Sequence, residues 1–353
     1  MIDKYNRKID YLRISVTDRC NLRCSYCMPS NGIQFRTMEE ILTYEEIILV
    51  CRAAALSGIK KIKITGGEPL VRKGIAQLIG KLSKIPGITE VTMTTNGLYL
   101  KELLPELLEN HLSAVNISLD TLDPVLYKNI TGVDALTKVF QSIQACVAAG
   151  LKTKVNAVLS ESLFEEKQVI SKSRWEISAK KQAKERLLNN CLDLLELSRN
   201  SAVDVRFIEM MPIGLGKDYT MTSSDDVLCR IKNEYPGIRA DYRKHGNGPA
   251  IYYTIPGFKG SIGFISAIHG KFCDKCNRIR LTSQGMIKPC LCYGKSYDLK
   301  EILRDSGEKI GTENMKRMLK QRLETAILEK PEQHCFEHLD DITEKKDMIQ
   351  IGG

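Results

Sequence analysis

Two groups of cysteines carry the chemistry open to this chain. Cys20-Asn-Leu-Arg-Cys24-Ser-Tyr-Cys27 is a C-x3-C-x2-C run, and Cys273-Asp-Lys-Cys276 followed by Cys290 is a C-x2-C-x13-C pattern. Each supplies three thiolates. Structural metal sites are usually closed by four protein ligands, so three leave one coordination position where a metal can meet a substrate. Two such sites in one chain point to chemistry rather than scaffolding. A zinc ion at the first group would need a fourth ligand, and the first histidine is His111. Soft thiolate-only ligation with one open position suits an iron–sulfur cluster better. At the second group another reading stays open. Residues two apart in an extended segment face the same side, so Cys292 could join Cys273, Cys276 and Cys290 in a four-thiolate zinc site.

The elements that must position these groups alternate. Short β-rich runs at 12–16, 61–65, 91–95, 115–119, 153–159 and 203–209 are separated by amphipathic segments at 44–57, 74–84, 100–110, 135–149 and 186–199. The first helix is marked by a Thr43/Glu46 capping box, with Gly58 at the position past its end. Strand–helix alternation implies βαβ units and a parallel sheet. Unusual residues gather at strand ends: Gly66-Gly67-Glu68-Pro69, Thr94-Thr95-Asn96-Gly97, Ser118-Leu119-Asp120, and Arg206 to Met211. Polar groups converging from many strand ends are the layout of a barrel active site. Six units predict an α/β fold, a partial (βα)6 TIM-type barrel over residues 1–215. The C-terminal extension, 216–353, carries the second cysteine group. Residues 161–190 read as a lysine-rich helical insertion, either a solvated face or a partner-binding surface.

Composition excludes several classes. With 353 residues, 43% hydrophobic and 27% charged, the chain reads as an ordinary globular protein. It has no apolar run of membrane-span length and no signal-like apolar core at its start, so a cytoplasmic location is expected. Twelve cysteines in that compartment are not expected to form disulfides. Cys51 and Cys146 fall in apolar helical patterns as small buried side chains. The net charge of +9 suits a phosphate-bearing ligand. No basic stripe is interleaved with aromatics, so neither nucleic acid nor a membrane is an expected partner.

The C-x3-C-x2-C spacing, with Tyr26 before the third cysteine and a GGEP turn after the next strand, resembles the radical S-adenosylmethionine superfamily. The second group, with Arg278 and Arg280 just beyond it, resembles the molybdenum cofactor biosynthesis A family within that superfamily. The likeness extends to the 12–19 segment, to Arg206-Phe207-Ile208-Glu209 and to the Gly352-Gly353 end. It implies two [4Fe-4S] clusters, one on Cys20, Cys24 and Cys27 and one on Cys273, Cys276 and Cys290. It further implies S-adenosyl-L-methionine held by Tyr26, Gly67, Ser118 and Met211. Its implied reaction is the 3′,8-cyclisation of GTP, the first step of molybdopterin synthesis. Arg13, Lys63, Thr94, Lys154, Arg278, Ile279 and Arg280 would contact the substrate, with Ile279 acting through its backbone. Arg206, Gly352 and Gly353 would serve catalysis, although a diglycine end also reads as plain disorder. Lys63 stands where the family often has arginine, which keeps the charge and loses the bidentate fork. The implied partners are an external electron donor, the next enzyme of the route and a second copy in a homodimer. A peptide-modifying radical enzyme and a non-catalytic zinc or iron–sulfur protein are the alternative readings.

Overall fold

The computed structural model describes the chain except for residues 30, 166–174, 305–310 and 353. The barrel strands are β1 (Tyr11–Ser15), β2 (Lys61–Thr65), β3 (Glu90–Thr95), β4 (Ala114–Ser118), β5 (Lys152–Leu159) and β6 (Val203–Glu209). They pair side by side in chain order, all parallel. Crossovers are made by α1 (Tyr44–Leu56), α2 (Ile75–Ser83), α3 (Leu100–Glu109), α4 (Pro124–Thr131) with α5 (Leu136–Ala148), and α6 (Trp175–Asn200). The Thr43/Glu46 capping box starts α1, and Gly58, at φ +88°, takes the left-handed conformation just past its end.

The strands alternate, unlike those of a parallel sheet packed on both faces. Leu12, Ile14, Ile62, Ile64, Val91, Met93, Val115 and Ile117 are buried in the core that the helices share with the sheet. Arg13, Lys63, Thr92, Asn116 and Lys154 stand on the other face, which lines a cavity. The apolar core therefore lies between sheet and helices, and the barrel interior is polar.

The extension is woven into the same sheet. Its elements are α7 (Ser224–Glu234), β7 (Arg239–Asp241), β8 (Ile251–Thr254), β9 (Ile262–Ile265), β10 (Arg278–Leu281), β11 (Met286–Lys288), β12 (Tyr297–Asp298), α8 (Lys300–Arg304), α9 (Thr312–Leu328) and α10 (Met348–Ile351). β9 pairs parallel with β6 and β10 pairs parallel with β1, so the extension lengthens the barrel at both edges. The full order is β12-β11-β10-β1-β2-β3-β4-β5-β6-β9-β8-β7, and the sheet stays open. Outside it, α9 packs on α1 and buries Leu319, Leu323, Ala326 and Ile327.

The described part of 161–190 is the 3-10 turn Glu161–Phe164 and, from Trp175, the first half of the β5–β6 crossover helix, which is thus longer than the expected 186–199. Its lysines mask a helical period whose buried members are Ala183, Leu187, Cys191, Leu194 and Leu195. Among the described residues no helix is long and apolar enough to cross a membrane.

Candidate active site

A cavity of about 1220 Å³ runs through the barrel. This exceeds the usual size of a site for one small ligand, roughly 300–1,000 Å³. At the C-terminal ends of the strands it is lined by Cys20, Cys24, Cys27, Gly67, Asn96 and Ser118. At the opposite ends it is lined by Tyr11, Lys61, Glu90, Lys152 and the β7–β8 connection.

The first cysteine loop follows β1 and is pinned on several sides. Arg23 and Ser25 donate backbone N–H bonds to Thr131 and Ile130, at 2.8 and 3.0 Å. The Cys20 thiol accepts from the Leu22 N–H at 3.4 Å. Tyr26 donates its hydroxyl to Asp120 Oδ2 at 2.8 Å, and Asp120 Oδ1 accepts from the Val158 N–H at 2.8 Å. The Gly66-Gly67 turn has its own reason for glycine. A Cβ on Gly67 would stand 2.4 Å from the Arg19 carbonyl oxygen, and one on Gly66 would stand 2.7 Å from that of Thr17. Glu68 is buried and accepts from the N–H groups of Leu70 (3.0 Å) and Asn96 (2.7 Å) and from Thr95 Oγ1 (2.7 Å). Burial pushes its carboxyl up to about 7, against the pull of those donors. Asn96 in turn donates to Asn21 Oδ1 at 2.8 Å. Glu68, Asn96 and Asp120 thus join three strand ends to the cysteine loop. Their only sequence signal was a place at strand ends.

The donor set fits a cluster. Among the described residues no three His, Cys, Asp or Glu side chains converge on the point that a single metal ion would occupy. The first three thiols instead all line the mouth of the cavity. Burial pushes the Cys24 thiol well up and Cys27 up to about 12, with neighbouring negative groups adding to it. Thiolates in such a place need a strongly electropositive group beside them, which iron supplies.

The second group is built at long range. Cys273 opens a 3-10 turn, Cys273–Lys275, and Cys290 follows β11. Arg7, paired with Asp3 at 2.6 Å, donates to the carbonyls of Cys273, Pro331 and Glu332 at 3.1, 2.7 and 2.6 Å. Lys330 Nζ donates to the Pro289 carbonyl at 2.6 Å, and the His334 N–H to Cys273 Sγ at 3.4 Å. Burial would raise the Cys276 thiol, but the Lys330 and Arg278 charges bring it down to about 7. Cys292 is turned away. It is fully buried with Leu291, Phe336 and Ile351, and its Sγ lies 2.9 Å from that of Cys335. The three cysteines stand behind the cavity edge, where Phe272, Lys275, Arg278 and Leu291 form the wall.

Between the two groups lies a concentration of positive charge. The registers Arg280–Arg13–Lys63–Thr92 and Thr94–Asn116–Lys154 set these side chains side by side. Eleven Lys and Arg residues but only five carboxylates line the cavity. Burial and mutual repulsion lower Arg13 to about 10, and they take Arg280 and Lys63 well below their ordinary values. Arg206 Nε and Arg278 Nε and Nη2 are buried without a hydrogen-bond partner. A multiply charged anion would relieve this repulsion and satisfy those donors. Ile279 packs its side chain in the core, fully buried.

The chain's end reaches the same place. The Gly352 carbonyl accepts from Arg280 Nη1 at 3.1 Å and Arg13 Nη2 at 3.5 Å. Gly352 has φ +79°, and a Cβ there would meet Ser15 Cβ at 2.8 Å. Of the diglycine, Gly353 lies outside the described residues. Tyr26, Gly67, Ser118, Met211, Thr94, Lys154 and Arg206 also line the cavity, so the structure brings most of the expected site residues to it.

An open parallel barrel with a three-cysteine loop at its mouth defines the radical S-adenosylmethionine class, and residues 14–167 match the Radical SAM superfamily model. Residues 203–336 match the model described as Molybdenum Cofactor Synthesis C. The chain is 41% identical over 353 residues to a GTP 3′,8-cyclase of Clostridium perfringens, covering 100% of both proteins. It is 40% identical over 360 residues to one of Petrotoga mobilis, again over the full length of both. The chain belongs to the GTP 3′,8-cyclase family. Among solved structures it is similar to Streptococcus suis SuiB bound to S-adenosylmethionine, with TM-score 0.57 and 18% identity. That match covers 84% of this chain and 65% of SuiB. SuiB bound to its precursor peptide SuiA aligns with TM-score 0.53 and 15% identity over 98% of this chain and 77% of that one. These likenesses establish the fold.

Proposed function

We propose that this chain is a GTP 3′,8-cyclase, a radical S-adenosylmethionine lyase that converts GTP to (8S)-3′,8-cyclo-7,8-dihydroguanosine 5′-triphosphate. The observation that carries the reading is one cavity that places a thiolate triplet at one end and an unrelieved set of buried cations further in. Cys20, Cys24 and Cys27 would hold a [4Fe-4S] cluster, which with S-adenosylmethionine would supply a 5′-deoxyadenosyl radical that takes up the 3′ hydrogen as 5′-deoxyadenosine. A second cluster would be held by Cys273, Cys276 and Cys290, beside the guanine base. Tyr26, Gly67, Ser118 and Met211 hold the S-adenosylmethionine. Arg13, Lys63, Lys154, Arg278 and Arg280 bind the triphosphate, with Thr94 and the Ile279 backbone completing the contacts. They hold the ribose with its 3′ hydrogen toward the cysteine loop, and this fixed geometry is their main contribution to rate. Loss of that hydrogen leaves a ribose radical that bonds to C8 of guanine, and one electron and one proton complete the product. Arg206, aimed into the cavity with its Nε unpaired, stabilises the cyclised radical. Gly352, whose carbonyl meets Arg13 and Arg280, serves catalysis together with Gly353.

The enzyme works in the cytoplasm with an external one-electron donor and hands its product to the next enzyme of molybdopterin synthesis. A homodimer is the expected assembly. The test is anaerobic reconstitution followed by incubation with reductant, S-adenosylmethionine and GTP. Stoichiometric 5′-deoxyadenosine and cyclised nucleotide are expected. 5′-Deoxyadenosine without the nucleotide product would keep the enzyme class and remove the substrate.

A further inference from the structure

The nine residues between β7 and β8 (242–250) lie across the cavity at the end remote from the first cysteine loop. Gly246 sits against Lys154, where a Cβ would be 3.7 Å from Lys154 Cε, and a Cβ on Gly248 would be 4.0 Å from Arg206 Nη1. Asn247 Nδ2 reaches Glu90 Oε2 on β3 at 2.5 Å, so the tip of the loop is tied to the wall opposite its own strands. Its root is tied by His245, whose Nδ1 lies 3.2 Å from Asp204 Oδ2 and whose Nε2 lies 2.7 Å from Asp241 Oδ2. The His245 ring stacks on Tyr252, with centroids 4.1 Å apart and planes at 14°.

The same Asp204 oxygen holds Lys154 Nζ at 2.5 Å, and Tyr252 accepts from that ammonium at 3.1 Å. Asp204 is not part of the cavity wall, whereas Lys154 is. The carboxylate therefore anchors the lysine from behind and leaves its outer side to the cavity. Lys63, three strands away on β2, faces the same space with no such anchor, and burial with cationic neighbours drives its charge down.

We propose that the 242–250 loop is the floor of the phosphate subsite, and that Asp204, braced by His245, is a positioning residue holding Lys154 for the terminal phosphate of a nucleoside triphosphate. The proposal rests on the GTP reading above. With the base beside the second cysteine group and the ribose toward the first, the phosphate chain takes the remaining end of the cavity, where this floor lies. The loop then sets chain length. A triphosphate reaches Lys154, and a diphosphate stops short of it.

The test uses reconstituted full-length enzyme with GTP and GDP as probes, measuring binding by equilibrium dialysis and cyclisation by product formation. Asp204→Asn and His245→Ala are expected to raise Kd and KM for GTP about tenfold while kcat stays within about twofold and GDP affinity does not move. His245→Gln, which keeps one hydrogen bond of the pair, recovers part of the loss. Asn247→Ala, which cuts the tether to Glu90, narrows the preference for GTP over GDP. If Asp204→Asn fails to reach wild-type iron content, the His245 and Asn247 variants carry the same comparison. Unchanged GTP affinity in the variants, or equal weakening of GTP and GDP, overturns the proposal while the GTP reading stands. Wild-type enzyme that binds neither nucleotide overturns both.

Discussion

The two cysteine groups have the same number of thiols and opposite constructions. The first is local: its three members lie between Cys20 and Cys27 on one loop, braced by the ends of β2, β3 and β4. The second is a clasp, in which Cys273, Cys276 and Cys290 are held by residues near both ends of the chain, Arg7 on one side and Lys330 to His334 on the other. A loop of the first kind persists as long as the barrel does. A clasp of the second kind can open while the barrel stays folded, because its holding groups belong to separate segments. The first cysteine loop is thus the more robust, and the second group the more readily lost.

The sharpest way to break this comparison is to empty each site in turn. Cys24→Ala should abolish 5′-deoxyadenosine formation and lower iron from about eight to about four per chain, with the second cluster still visible spectroscopically. Cys276→Ala should give the same fall in iron but retain slow, uncoupled cleavage of S-adenosylmethionine and form no cyclised nucleotide. If Cys276→Ala also stops the cleavage, the two regions are one functional unit and the contrast fails.

Next in size is Arg7→Ala, which touches no cysteine side chain. Arg7 and Asp3 are both buried, so the variant strands a carboxylate and frees three carbonyls at once. Breaking a buried pair costs about 3–5 kcal/mol. That loss should fall on the clasp: thermal scans should show an early transition, and the second cluster should be lost before the first. A single cooperative transition with both clusters lost together would mean that the extension is no weaker than the barrel.

The same contrast explains what was legible in the sequence. The six barrel strands and the helices α1, α2, α3 and α5 could be read to within a residue or two, because each is a local pattern, closed in α1 by the caps at Thr43 and Gly58; α4 gave no such pattern and α6 starts eleven residues before its expected 186. The first cysteine loop could be read for the same reason. The pairing of β10 with β1 could not. It joins Arg278–Leu281 to Tyr11–Ile14, and nothing in a four-residue strand names a partner so far away. The Arg7 clasp and the Asp204–His245 brace were equally hidden, being contacts between segments that give no periodic signal. Residues 175–190 read as a solvated segment because Lys180, Lys181 and Lys184 with Glu185 and Arg186 crowd the turns around Ala183 and Leu187, while the rest of the buried face of α6 lies further along.

Glu68 provides a pH test of the first region. Its carboxyl, raised from 4.5 to about 7 by burial, keeps a proton in the folded state that the unfolded chain releases. The folded state therefore binds more protons across that window, and stability falls as pH rises from 4.5 to 7 and levels off above. Urea midpoints measured at about pH 5 and about pH 8 should differ in the wild type and converge in Glu68→Gln. Persistence of the full difference in the variant would assign it to another group.

The smallest expected effect belongs to Cys292→Ser. Cys292 is two residues from Cys290, yet its thiol faces Cys335 across 2.9 Å within a small apolar cluster. A thiol held there is expected to take no part in the second metal site. Serine should leave iron content and cyclisation within about twofold of wild type, with a stability loss of about 1–3 kcal/mol for a hydroxyl among apolar side chains. Loss of half the iron in this one variant would make Cys292 a ligand, close the open position, and leave the second region a structural metal site with no place for a nucleotide.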